Sequence, residues 1–173
     1  MPPYPVTPPA TRQDLPESGA GSLASAGTRA VALFIDNILV WVVLYAVWLN
    51  KYIAVKGNKT TVKDLPTSAA IVLWAVPVAY AAVCIMFRGT TIAGGLLHLR
   101  VVRYVDGGAV APYQALIRAL LPALPAIVAL ALPGALATLV SALQIVVYVS
   151  ILFDPLFRGF ADKAAGTIVL RTR

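Results

Sequence analysis

The sequence predicts an all-α membrane protein, a four-helix transmembrane bundle with a small cytoplasmic cap that has room for a short β-hairpin. Three observations carry the prediction. Apolar residues make up 60% of the 173 residues and charged residues only 12%, whereas soluble domains carry about 25% charged residues. The mean hydropathy is +0.83. Four apolar runs follow one another, each close to the ~20 residues that a helix needs to cross ~30 Å of hydrocarbon. Disorder, collagen and a nucleic-acid-binding globule fit this composition poorly, even with the net charge of +7. The single cysteine, Cys84, excludes an intrachain disulfide framework and a cysteine-based zinc cluster.

Residues 1–27 read as a disordered, Pro-rich cytoplasmic tail, with partner binding by its prolines as the alternative. Pro2, Pro3, Pro5, Pro8, Pro9 and Pro16 deny it a helix, and Ser18 to Ser22 are small and polar. No basic cluster precedes the first apolar run, so a cleaved leader is not expected. The transmembrane domain, 28–173, has spans at about 30–49, 69–87, 115–132 and 135–153. Lipid offers the backbone no hydrogen bonds, so each run should be a helix. The third run is the weakest. It carries Arg118, Pro122 and Pro125, so two spans plus a re-entrant hairpin is the competing arrangement. Pro133-Gly134 turns it into the fourth.

Basic residues set the orientation. Ten of them (Arg12, Arg29, Arg88, Arg100, Arg103, Arg118, Arg158, Lys163, Arg171, Arg173) fall on one side, against Lys51, Lys56, Lys59 and Lys63 on the other. Cytoplasmic loops collect Lys and Arg, which places both termini in the cytoplasm. Trp41, Tyr45, Trp48 and Tyr52 form an aromatic belt in the outer half of the first span. The sequon Asn58-Lys59-Thr60 is too short to carry weight.

Between Arg88 and Pro112 the stretch Leu97 to Val105 is rich in β-branched residues, and Asp106-Gly107-Gly108 reads as a turn after which Ala109-Val110 returns. An interfacial helix is the other reading. Arg100 and Arg103 form a basic patch facing anionic lipid, worth ~1 kcal/mol each. Near the C-terminus, Arg158 and Asp162 would face each other on a helix that ends at Gly166, and Thr167 to Leu170 could pair with Leu99 to Val102. Asp162 then anchors the cap by holding Arg29 or Arg100.

Asp36 is the main anomaly, since a carboxylate at the centre of a bilayer costs at least ~2.5 kcal/mol unless it faces protein or water. Arg29, Leu33 and Asp36 share one helix face, with Arg29 ~10 Å away along the axis. Arg118 is therefore the expected partner of Asp36. Two readings stand: an ion or proton site made by Asp36 and Arg118, or an internal pair that fixes helix register. Pro122 and Pro125 free the carbonyls of Arg118 and Leu121, which either bends the helix or supplies cation ligands. Gln144 could bond between helices or line a path. His98 alone makes no metal site and Cys84 reads as a small hydrophobe. No metal site or cofactor is expected. No phosphate loop, activated serine or close carboxylate pair is present, so an enzyme is not expected either.

Ser25 to Arg29 with Phe34-Ile35-Asp36, then Gly89-Thr90-Thr91 with Leu99 to Val102 and Asp106 to Gly108, then Asp154 to Arg158 with Asp162 to Thr167, resemble the three motifs of the RDD family of bacterial membrane proteins. The resemblance covers roughly residues 25–170. It implies that Arg29, Asp36 and Asp162 are the defining residues, and that the chain resides in the bacterial plasma membrane. One departure is Ala93-Gly94, where members often carry Gly-Lys. Some similar proteins are linked to exchange of cations for protons. The resemblance thus implies a small cation/proton antiporter or transport subunit using Asp36, with lipid, monovalent cations and protons as partners, and a homo-oligomer because four helices make a thin wall. The alternative is a non-catalytic accessory or scaffold subunit of a larger membrane assembly.

Overall fold

A computed structural model of the protein describes residues 4–5, 7–47, 53–56, 59–62 and 67–173. Pro2, Pro3, Trp48, Lys51, Tyr52, Asn58 and Lys63, named above, lie outside them.

Helix α1 (Ala26–Val47) begins where the Ser25 hydroxyl accepts the Thr28 amide at 3.1 Å, an N-cap that satisfies one of the free donors of the first turn. Its buried residues, Ala32, Asp36, Val40 and Leu44, recur every four positions and form a single stripe. The other faces expose Phe34, Val42 and Val43. A two-stranded hairpin, β1 (Ile53–Lys56) and β2 (Lys59–Val62), pairs Ile53 with Val62 and leads to α2 (Thr67–Arg88). After a short α3 (Ile92–Leu96) and β3 (Leu99–Arg103) come α4 (Pro112–Leu120), α5 (Leu124–Ala129) and α6 (Gly134–Val149). A 3₁₀ turn, Ser150–Phe153, continues α6, and α7 (Phe160–Ala165) and β4 (Thr167–Arg171) follow.

Among the described residues, three helices are long and apolar enough to cross a bilayer: Ala26–Val47, Ile71–Arg88 and Gly134–Phe153. The third expected span, 115–132, is not one of them. It is broken into α4 and α5 by a turn at Leu121–Ala123. Pro122 and Pro125 each lack an amide and crowd the carbonyl four residues back, and together they interrupt the helix rather than bend it. A bundle of four continuous spans is therefore not what the chain forms. α4 packs on α2 and α7, whereas α5 packs on α6.

β3 and β4 pair antiparallel, with Leu99 opposite Arg171, Val101 opposite Val169 and Arg103 opposite Thr167. This is the pairing expected for Thr167 to Leu170. The alternative return through Ala109-Val110 does not form: Gly107 sits at φ +66° in the turn, and residues 109–111 lead without a strand into α4. Strand alternation sends Leu99, Val101 and Val169 toward Ala32, Ile85 and Ala115 on the helices. Val102, Ile168 and Leu170 lie on the opposite face with Leu15 and Leu156.

Leu15 comes from the segment expected to be a disordered tail, and the structure corrects that expectation. The Leu23 backbone bridges Leu170, the Ala24 amide donates to the Val169 carbonyl at 3.1 Å, and Pro9 and Leu15 are buried. Prolines exclude a long α-helix but not an irregular strap with one 3₁₀ turn at Arg12–Asp14, and Leu15 and Leu23 give this one apolar contacts.

Candidate functional site

Asp162 gathers the charged groups. Gly159 is the N-cap of α7 and its amide donates to Asp162 Oδ2 at 3.3 Å, which turns the carboxylate inward. The Arg29 and Arg118 guanidiniums both form ion pairs with it, and the Thr167 hydroxyl donates to Oδ1 at 3.2 Å. Arg29 also donates to the Phe157 carbonyl at 2.5 Å, and Arg118 donates to the Thr167 hydroxyl at 3.2 Å. Asp162 is 2% exposed and the two arginines 13% and 15%. A buried carboxylate is tolerated only with such a shell of donors. Two guanidiniums meet one carboxylate, so the cluster carries one surplus positive charge.

The pairing of Asp162 with Arg29 was among the expected ones. The pairing of Arg118 with Asp36 is corrected, because Arg118 lies on α4 against α7 and is taken by Asp162. Arg158 does not face Asp162 either. It precedes the first turn of α7, donates to the Thr167 carbonyl at 3.1 Å and stacks 3.6 Å above the Tyr104 ring. Arg100 and Arg103 do not form one patch: an odd spacing on β3 puts them on opposite faces, and Arg103 pairs with Asp106 at 3.1 Å.

Asp36 is 7% exposed and has different partners. Its Oδ1 accepts the Tyr80 hydroxyl at 2.6 Å and the Ala93 amide at 3.0 Å, while the Tyr80 oxygen accepts the Ile92 amide at 3.2 Å. Asp36 and Tyr80 thereby fasten the start of α3 to α1 and α2. Oδ2 has no hydrogen-bond partner among the described residues. Tyr80 was missed in the sequence, although a tyrosine in an apolar helix needs a partner for its hydroxyl and Asp36 was the lone acid in a neighbouring span. The departure at Ala93-Gly94 also has a steric setting, since a Cβ on Gly94 would meet Thr90 Oγ1 at 2.6 Å and Thr91 Oγ1 at 3.0 Å.

Arg29, Asp36, Arg118 and Asp162 line one cavity of about 290 Å³, bounded by apolar side chains such as Leu33, Ile85 and Ile151. Asp36 also lines a second cavity of about 130 Å³ with Trp41, Trp74, Tyr80, Gln144 and Tyr148. It therefore stands where the two adjoin. No three His, Cys, Asp or Glu side chains converge among the described residues.

Long apolar helices around a buried set of paired charges define a helical membrane protein. The family model for the RDD family matches residues 23–166, and the chain belongs to that family. No curated protein and no solved structure matches it.

Proposed function

We propose that the protein is a small cation/proton antiporter or transport subunit of the bacterial plasma membrane, in which Asp36 is occupied alternately by a proton and by a cation. The observation that carries this reading is the free Oδ2 of a buried carboxylate that borders two cavities. Arg118 is engaged by Asp162, so among the described residues no fixed cation pairs with Asp36 and its charge is available to a mobile one. The reading assigns the chain no enzyme activity and no cofactor. Topology supports several crossings with both ends in the cytoplasm. Leu23, β3 and β4 meet in one layer, so α1 and α2 go out and back, and the broken α4–α5 path balances the return of α6. The surplus of Arg and Lys on this side supports its cytoplasmic placement.

The test is a cation-driven pH change in proteoliposomes, wild type against Asp36→Asn. Wild type should respond to an imposed gradient of a monovalent cation, with Na⁺, K⁺ and an organic ammonium each tried, and the variant should lose most of the response. Equal signals would remove Asp36 from the mechanism. An accessory or scaffold subunit is the second reading, favoured by α6, none of whose residues is buried within the chain. That surface suits a second copy or another subunit as well as lipid. A silent wild type that purifies in mild detergent with another chain would favour this second reading.

A further inference from the structure

The two cavities beside Asp36 differ in a way that bears on which cation it takes. The larger is lined by Arg29 and Arg118, and their surplus positive charge repels a cation. Among the described residues neither lysine nor arginine lines the smaller one, where Trp41, Trp74, Tyr80 and Tyr148 share the lining with Asp36 and Gln144. A bare metal ion would need a shell of oxygens to replace its water. Few are free. The Tyr80 hydroxyl already donates to Asp36 and accepts the Ile92 amide, the Thr91 hydroxyl accepts the Gly94 amide, and the Asn37 amide group donates to the Leu33 carbonyl. What remains is Asp36 Oδ2, the amide oxygens of Asn37 and Gln144 and the Tyr148 hydroxyl, fewer than the roughly six or more oxygens of a full metal shell, in a lining otherwise aromatic and aliphatic. Aromatic rings attract a cation that sheds its water cheaply, and an organic ammonium group does so where a small metal ion does not.

We propose that the cavity formed by Asp36, Trp41, Trp74, Tyr80 and Tyr148 is a binding site for a small organic ammonium ion, its charge on Asp36 Oδ2 and its methyl or methylene groups against the rings. This rests on the reading of Asp36 as a cation site and names the class of cation. The cavity of about 130 Å³ suits a headgroup of the size of tetramethylammonium rather than a large dye.

Equilibrium dialysis of the purified full chain with labelled choline tests it, with 3,3-dimethylbutan-1-ol, which has the same shape and no charge, as the control. Choline should bind at least about tenfold more tightly than the alcohol, and a large excess of Na⁺ should not displace it. Trp74→Ala should weaken choline about threefold or more, whereas Trp74→Phe keeps a ring and should stay within about twofold. Asp36→Asn should cost about tenfold, and the Trp74 pair keeps the test valid if that variant folds poorly. Unchanged choline binding in both Trp74→Ala and Trp41→Ala would overturn the proposal. So would displacement by Na⁺ together with a Na⁺-driven pH change, which would leave Asp36 as an inorganic cation site. Intact choline binding with no pH change from any cation would instead remove transport and leave recognition of the ammonium ion standing.

Discussion

Asp162 and Asp36 are both buried carboxylates, yet the structure gives them unequal tasks. Asp162 holds two guanidiniums, so Asp162→Ala leaves two buried cations facing each other. Breaking a buried pair from one side costs about 3–5 kcal/mol, and this variant should unfold in detergent at a much lower temperature or fail to accumulate. Asp36→Asn keeps an oxygen that can accept both the Tyr80 hydroxyl and the Ala93 amide. Its loss should be about 1 kcal/mol, the scale of a weakened hydrogen bond. Thermal midpoints of the two variants check this, and an equal drop in both would contradict the division of roles. The sequence made the anomaly of Asp36 plain, because an acid in an apolar run is expensive wherever it points. It could not assign Arg118. Charge counting offered one acid within a span and one cation. The cap on α7 that turns Asp162 toward α4 is a matter of three-dimensional placement that no spacing records.

At the scale of elements, α7 is six residues long and too short to persist alone. It is held at its C-terminal end by Gly166, which takes φ +63° where a side chain would be strained. Before its N-terminus stands Asp154, whose carboxylate accepts the Leu156 and Arg158 amides at 2.9 and 3.1 Å and pairs with Lys163 at 2.6 Å. Burial raises the pKa of this group, but the Lys163 ammonium and the two amides outweigh it and hold the carboxyl below its ordinary value. A depressed folded value means that the stabilisation is present above the unfolded value, near pH 4, and disappears as pH falls through the folded one. Wild type should therefore lose thermal stability on acidification below about pH 4 more steeply than Asp154→Asn. Parallel curves for the two would show that Asp154 contributes nothing to the acid response. The ends of α7 were legible in Gly166, while the break in the third apolar segment was legible only as a pair of prolines. Whether they bend or interrupt a helix depends on packing, here α4 against α2 and α7 and α5 against α6.

The whole molecule joins both ends of its chain in one small layer, and the N-terminal strap decides whether that layer can be covered. A two-stranded sheet with one face on the helices leaves Val102, Ile168 and Leu170 on the other, and an open apolar face of this kind invites association. The strap covers it. Leu15 is 5% exposed against this cluster, the Tyr4 hydroxyl donates to the Tyr104 carbonyl at 2.7 Å, and the Tyr104 hydroxyl donates to the Pro9 carbonyl at 2.8 Å. Burial pushes the Tyr4 hydroxyl up to about 12, so these contacts are intact across the neutral range. Arg12 reaches the Pro155 carbonyl at 2.6 Å and stacks 4.0 Å above Phe157, beside the very carbonyl that Arg29 uses. Composition hid this arrangement, because a Pro-rich segment scores as unstructured when its few apolar side chains are averaged away, and Leu15 and Leu23 are the two that matter. Burying a leucine is worth about 1.5–3 kcal/mol, and placing a charge there adds an unpaired ion. Leu15→Asp should therefore release the strap: trypsin should cut at Arg12 much faster than in wild type, and the protein should associate through the uncovered face in detergent. Leu15→Met, similar in volume, should behave as wild type. Rapid cleavage at Arg12 in wild type, at the rate seen for Leu15→Asp, would mean that the strap does not cover the sheet in solution.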